Sequence, residues 1–506
     1  MSKKNKNIDF YDETLRDGIQ SLWGARLPYG VIDAVADEID QAGFSSITFP
    51  IHPVFFPMAV RAGEDPWEIM RLINKKIKKT KISSMVSPNQ VNIFLPFEPP
   101  AVWRFFHSKV VEVSGLRRVT FMSNVADELE RFFPTWFPFA KGIGLETCPG
   151  ICYYPSPRTN DEYFVNLTKR VLKFKPDAIY LKDAGGLLTL EVAKTLLPAM
   201  MNEAHAQGIP IGIHTHCVST NAGRVLVEAM KIGFDEVHTC TPPLANGTSH
   251  TSIFMALHNA KLLGLTHHIN EEPLKVVEER LTRIAKQEGF QIGVPLEYDH
   301  GVYAHQVPGG VMGTLKNQLN QMGLLDKLDE VLEEVPRVLK DMGYPIMITP
   351  YSQYIVSQAT VNVATGERYK EVLDCMIEMA SGYYGVEDSG AAYMDQNIKD
   401  MLLSCPNAKV IAQKWARLQE DAAKDVSLKD IKTEYNMTNA SDEDFLLHYI
   451  MNSDAEIKKM RAAGPPRSFY TGKEPLAPLL KALSKEKDIS RLQLRKGNSF
   501  FDFRQK

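Results

Sequence analysis

His214 and His216, set two apart in "GIHTHC", carry the sharpest chemical signal in this 506-residue chain. Residues two apart in a strand project from one face, so the two imidazoles reach one point and supply half of a metal site. The plainer alternative is that one ring caps a loop and the other bonds locally. Asp17, in "LRDGIQ", is the natural acid to join them, because Gly18 behind it permits a tight turn that aims the carboxylate inwards. A helix N-cap or an ion pair with Arg16 would occupy Asp17 equally well. Lys182 is the odd member, since "AIYLKDAGG" sets it directly after the apolar middle of a strand. An ammonium beside a divalent cation is repelled, so the group lies elsewhere, is neutral, or is chemically changed. Burial lowers a lysine's pKa, and a neutral amine takes up CO2 to give a carbamate, which is an anionic oxygen ligand. Pairing with Asp183 or Asp12 is the alternative.

These groups need a frame that brings strand ends together. Over the first 260 residues, apolar and β-branched runs (IDFY, SSITF, KISSMV, RRVTFM, KGIGLE, DAIYL, IPIGIH, DEVHTC) alternate with segments of helical spacing. In "GVIDAVADEIDQAG", Val31, Ala34, Val35 and Ile39 fall on one helical face. About eight strand–helix units in roughly 250 residues is the size of a (β/α)8 TIM barrel. An open doubly wound sheet would favour a Gly-rich phosphate turn after the first strand, and "YDETLRDGIQ" is nothing of that kind. In a barrel, chemistry collects at the C-terminal strand ends. Those positions hold Asp12, Glu13, Arg16, Asp17 and Gln20, then Lys182, then His214 and His216. Past about residue 270 the pattern turns helical. The expected organisation is a barrel over 1–300, an α-helical C-terminal domain over 301–465, and a poorly ordered or extended tail over 466–506.

Composition excludes several classes of partner. A net charge of −3 with 24% charged residues gives no electrostatic reason to bind nucleic acid or an anionic membrane. No apolar run approaches the length of a bilayer span, and "MSKKNKNIDF" leads into no secretory signal core. The six scattered cysteines read as reduced thiols, so a cytoplasmic location is expected.

Taken together, "ETLRDGIQSLWGAR", "YLKDAGGLLT", "IHTHC" with "STNAG", "ANGTSHTS", "HQVPGG" and "EEVPRVLKDMGYPIMITPYSQ" resemble one family. It is the carboxyltransferase domain of pyruvate carboxylase, with the oxaloacetate decarboxylase α subunit and the transcarboxylase 5S subunit. The likeness runs from about residue 8 to about 390. It implies a divalent metal (zinc, cobalt or manganese) on Asp17, His214, His216 and a carboxylated Lys182. It also implies biotin as cofactor and a C-terminal domain that completes the active site with a catalytic threonine, matched by Thr349, that shuttles a proton between biotin and acceptor. Arg16 and Gln20 match residues that contact substrate or biotin. The implied partners are a biotin carboxyl carrier protein, biotin carboxylase or decarboxylase subunits and a small-molecule acceptor, with homodimers expected.

The resemblance fails on the acceptor side. Pyruvate-handling members carry an arginine in an "LLRGxN" stretch after strand three, where "SSMVSPNQ" puts Ser87. The usual "WGG" after strand two is "TFPIHP", and Phe121 stands where an acid follows strand four. Pyruvate or oxaloacetate leads by family frequency, with another keto acid or a ketone as the departure these changes suggest. "EAMKI", residues 228–232, imitates a biotin-attachment sequence, but "RVLVEAMKIGF" reads as a barrel helix, so biotin is expected in trans. Two other readings stand beside this one: a metal-dependent aldolase or Claisen-type lyase on the same barrel, and a non-catalytic scaffold subunit.

Overall fold

Eight short strands follow the apolar runs: β1 (Asp9–Asp12), β2 (Ser46–Thr48), β3 (Lys81–Met85), β4 (Arg118–Met122), β5 (Glu146–Cys152), β6 (Ile179–Asp183), β7 (Ile211–Thr215) and β8 (Glu236–Thr239). In the computed structural model, which describes residues 7–24, 29–88, 91, 98–122, 126–424, 426–471, 491–496 and 499–504, each strand pairs in parallel with the next. β8 returns to β1 and closes the barrel. One strand departs from expectation. β5 is not KGIGLE but the next segment, ETCPGIC. Gly144, at φ +79°, belongs to the turn before it. Pro149 and Gly150 argue against a strand by propensity, yet a Cβ on Gly150 would lie 2.4 Å from the Tyr180 ring. The strand carries glycine because the barrel interior needs the room.

The outer ring is α1 (Tyr29–Asp40), α2 (Pro66–Lys76), α3 (Pro100–Ser114), α4 (Ala126–Gly142), α5 (Asp161–Leu172), α6 (Leu190–His205), α7 (Ala222–Ile232) and α8 (Ile253–Leu262). The four α1 residues predicted to share a face are all fully buried. The biotin-like "EAMK" lies inside α7, with Met230 buried and Lys231 beside Glu228 at 3.4 Å. Among the described residues, no helix is long and apolar enough to cross a membrane.

Helices continue from Glu271–Glu288 to Asp454–Ala462. "MLLSCPNAKVIAQKWARLQEDAAKD" is divided into helices Gln396–Leu403 and Ala408–Ala423, because Pro406 disfavours the helical conformation before it. In the tail, Arg491–Lys496 and Ser499–Arg504 pair as an antiparallel hairpin, while 472–490 lie outside the described residues. The segment leading to Thr349 is tied to the barrel. Asp388 accepts hydrogen bonds from Tyr163 (2.6 Å) and Tyr154 (3.2 Å), its backbone carbonyl accepts from Ile346 N–H at 2.9 Å, and Arg158 donates to the Tyr344 carbonyl at 2.9 Å.

Barrel interiors are usually filled by branched aliphatic layers. Here the filling is polar and aromatic. At the N-terminal end Arg118 pairs with both oxygens of Glu236, at 2.9 and 2.8 Å. Above them His238 is sandwiched between Tyr11 and Tyr180, with ring centroids 4.2 and 5.2 Å away. Above that, at the C-terminal mouth, stand Glu13, Met85, Lys182 and His214.

Candidate active site

The first strand ends in a single wide turn, Thr14–Gly18, of the π type that interrupts regular helices at functional sites. It presents Arg16 and Asp17, both buried, to the mouth. Gly18 does not make the tight turn expected of it: its φ is −58°, ordinary helix. What it provides is space, since a Cβ would sit 3.0 Å from the Leu244 carbonyl and 3.2 Å from Cys240 Sγ. Gly186 has the conformational role instead, at φ +63°, where a Cβ would come 2.3 Å from the His216 carbonyl.

Asp17, His214 and His216 come together as expected, and His250, from the loop after β8, joins them. One ligand atom from each of the four lies within 4.8 Å of every other. Asp17 oxygens lie 3.5 Å from His214 Nε2, 3.6 Å from His216 Nε2 and 3.6 Å from His250 Nε2. The tautomers follow from the opposite nitrogens. His216 Nδ1 faces the Thr248 carbonyl at 2.8 Å, and His250 Nδ1 faces the Thr215 carbonyl at 3.1 Å. A carbonyl only accepts, so each Nδ1 carries the proton and each Nε2 a lone pair. His214 Nδ1 lies 3.2 Å from Glu13 Oε1, which imposes the same tautomer. Three imidazole lone pairs and a carboxylate therefore converge, and His214 Nε2 and His250 Nε2 have no hydrogen-bond partner among the described residues. This is a donor set with nitrogen and oxygen ligands and its outer supports in place, and it fits a divalent cation.

The electrostatics agree. Burial, then Lys182 and His250, hold His214 well below the ordinary imidazole value, and burial with His250 pushes His216 down to about 4. Burial alone would raise Asp17, but Arg16, His216 and His250 hold it well below the usual carboxylate range. Both imidazoles are thus neutral and the acid ionised, the states that metal binding would require.

Lys182 stands beside the cluster, fully enclosed, where burial and the Arg16 guanidinium lower its pKa. Neither alternative partner takes it. Asp183 accepts from the N–H groups of Leu187 (2.7 Å) and Leu188 (3.0 Å) and from the Thr215 hydroxyl, while Asp12 accepts from Thr14. Among the described residues, the Lys182 Nζ contact is Met85 Sδ at 3.7 Å. Asp17 does form the ion pair with Arg16, at 2.5 Å, while also facing the histidines. Gln20 and Thr349 are exposed and Ser87 is half-buried. None of these three makes a hydrogen bond to the cluster.

Sequence reasoning missed His250 and the support behind His214. Glu13 Oε1 also lies 2.9 Å from His238 Nδ1, so His214 leans on a Glu13–His238 pair within the barrel. Glu13 and His238 were legible as inward strand positions. His250 was visible only as the histidine of "ANGTSHTS", on a loop that no periodicity directs back to the mouth.

Residues 7–279 match the HMGL-like family and residues 302–488 the conserved carboxylase domain. The chain is 30% identical over 429 residues to a pyruvate carboxylase subunit of Methanocaldococcus jannaschii, covering 82% of this chain and 73% of that protein. It is 25% identical over 468 residues to the methylmalonyl-CoA carboxyltransferase 5S subunit of Propionibacterium freudenreichii, covering 91% and 89%. In fold it matches the carboxyl transferase domain of Rhizobium etli pyruvate carboxylase with a TM-score of 0.76, at 19% identity, over 98% of this chain and 83% of that one. With the barrel, the helical region and both domain matches in one order, the chain belongs to the pyruvate carboxylase and transcarboxylase family of biotin-dependent carboxyltransferase subunits, within the HMGL-like barrels.

Proposed function

We propose that this subunit moves CO2 between biotin, held on a separate carrier protein, and a small keto-acid acceptor through the acceptor's enolate. The observation that carries the reading is the convergence of Asp17, His214, His216 and His250, whose ligand atoms lie within 4.8 Å of one another. Asp17, His214 and His216 would hold zinc, cobalt or manganese, with His250 as a further ligand and Lys182 as its carbamate. That carbamate forms when neutral Nζ bonds to the carbon of CO2 and releases a proton. When bound, the ion supplies a Lewis acid for the negative charge that develops on the acceptor oxygen. Arg16 and Gln20 orient the acceptor, and the enclosed mouth makes each charge–dipole contact stronger than it would be in water. Thr349 Oγ1 passes a proton between the acceptor carbon and the biotin nitrogen; the segment that carries it is tethered to the barrel through Asp388 and Arg158. A biotin carboxylase or decarboxylase partner and a homodimeric assembly complete the proposed setting.

The test mixes purified protein with a carboxylated carrier and a panel of keto acids and ketones. Acceptor-dependent loss of the carrier's CO2, abolished in Lys182→Ala and Thr349→Ala, supports the reading. No loss with any acceptor refutes it.

A further inference from the structure

His250 reaches the centre by a device of its own. It stands opposite His216 in an isolated antiparallel bridge between the end of β7 and the loop after β8. Residues opposed in this way put their side chains on one face at short range. The His250 ring centroid is accordingly 4.3 Å from that of His216, and 4.2 Å from that of His214. Beside the bridge, Cys217 N–H donates to the Ser249 carbonyl at 2.7 Å. The rings are then fixed crosswise. His216 Nδ1–H donates to Thr248 on the loop, and His250 Nδ1–H donates to Thr215 on the strand. Neither ring can turn without losing its bond to the other's segment.

Lys182 is held by nothing comparable. Among the described residues its Nζ meets Met85 Sδ at 3.7 Å, and a thioether is a weak acceptor. The ammonium ends a flexible four-carbon stem, and it becomes an anionic ligand only after CO2 has been added. Asp17, His214, His216 and His250 need no such step, since their ligand atoms already lie within 4.8 Å of one another. His250 Nε2 is fully buried and has no hydrogen-bond partner among the described residues. A buried nitrogen left in that state is costly unless something arrives to satisfy it. One oxygen and three nitrogen donors make four, the number from which a closed protein site holds a divalent ion such as zinc.

We propose that His250 completes the ligand set, so that a divalent cation binds to Asp17, His214, His216 and His250 without carboxylation of Lys182. CO2 then adds to Lys182 beside an ion already held, and the carbamate serves the reaction rather than the retention of the metal. This inference rests on the metal centre of the proposed function and not on carboxyl transfer itself.

The test measures zinc and cobalt affinity of the metal-stripped full chain by competition with a chromogenic chelator, in CO2-free buffer and in bicarbonate. The wild-type protein should bind each ion equally tightly in the two buffers. Lys182→Met, which removes the amine at similar volume, should do the same. His250→Asn keeps a donor for the Thr215 carbonyl but has no nitrogen where Nε2 stands. It should lose at least about tenfold in affinity, the smallest loss expected even for an outer support, and the visible absorption of its cobalt complex should change. Tighter wild-type binding in bicarbonate, loss of affinity in Lys182→Met, unchanged affinity in His250→Asn, or no binding by the wild-type protein would each overturn the proposal. The comparison of buffers uses wild-type protein alone, so it decides the matter even where His250→Asn fails to fold. Tight, bicarbonate-independent binding with no loss of the carrier's CO2 to any acceptor would sink the proposed function while leaving this inference standing.

Discussion

At the scale of single residues, the centre depends on which nitrogen of each imidazole carries a proton. Glu13 sets that choice for His214 from below, so Glu13→Ala should lower metal affinity by about 10–100-fold, as loss of an outer support does. Metal content after dialysis against a graded chelator measures it, and wild-type affinity would refute the role. A second prediction concerns the opposite end of the barrel. Burial alone would raise Glu236, but Arg118 and His238 hold its folded-state pKa below that of a free glutamate. Its contribution to stability is therefore present above the unfolded value of about 4.3 and fades as pH falls through and below it. Glu236→Gln strands a buried guanidinium, so it should cost about 3–5 kcal/mol at pH 7 and flatten the part of the stability loss that develops below about pH 5, read from urea midpoints. At this scale much was legible: the two-residue spacing of His214 and His216 and the strand-end placement of Asp17 and Lys182 follow from strand geometry. His250 was not, because it sits on an irregular segment whose direction is set by contacts distant in sequence.

At the scale of elements, seven strands were readable from their apolar runs, and the fifth was displaced because its proline and glycine contradict strand propensity. That glycine is required by the Tyr180 ring. Gly150→Ala should push Tyr180 off its stack with His238, disturbing the support of His214. A fall in metal occupancy with the fold retained, seen by circular dichroism, is the expected outcome; full occupancy would show that the stack does not bear on the centre. The link between the helical region and the barrel is a separate element. Asp388→Ala removes the acceptor for two tyrosine hydroxyls and should slow carboxyl transfer by at least tenfold, through a misplaced Thr349 segment, while metal content stays at the wild-type level.

At the scale of the whole molecule, the barrel and helical divisions were visible in the change from alternating to purely helical spacing near residue 270. The tail hairpin was not, since a short strand pair of charged and aromatic residues carries little signal of its own. The attachment-like "EAMK" is part of a packed helix, so the purified chain should give no streptavidin signal even when coexpressed with a biotin ligase. Carboxyl transfer should need added carrier in stoichiometric or catalytic amount. Streptavidin-positive protein that loses its signal in Lys231→Arg would reverse that view.

The aromatic and ionic filling of the barrel has a consequence for how such a protein can change over time. An aliphatic interior tolerates exchange of one branched side chain for another, leaving the mouth free to acquire new chemistry. Here the ring sandwich around His238 is at once the packing of the scaffold and the support beneath His214. On the proposed reading, drift within the interior is visible to selection through catalysis, and the loops at the mouth can change with less disturbance than the strands.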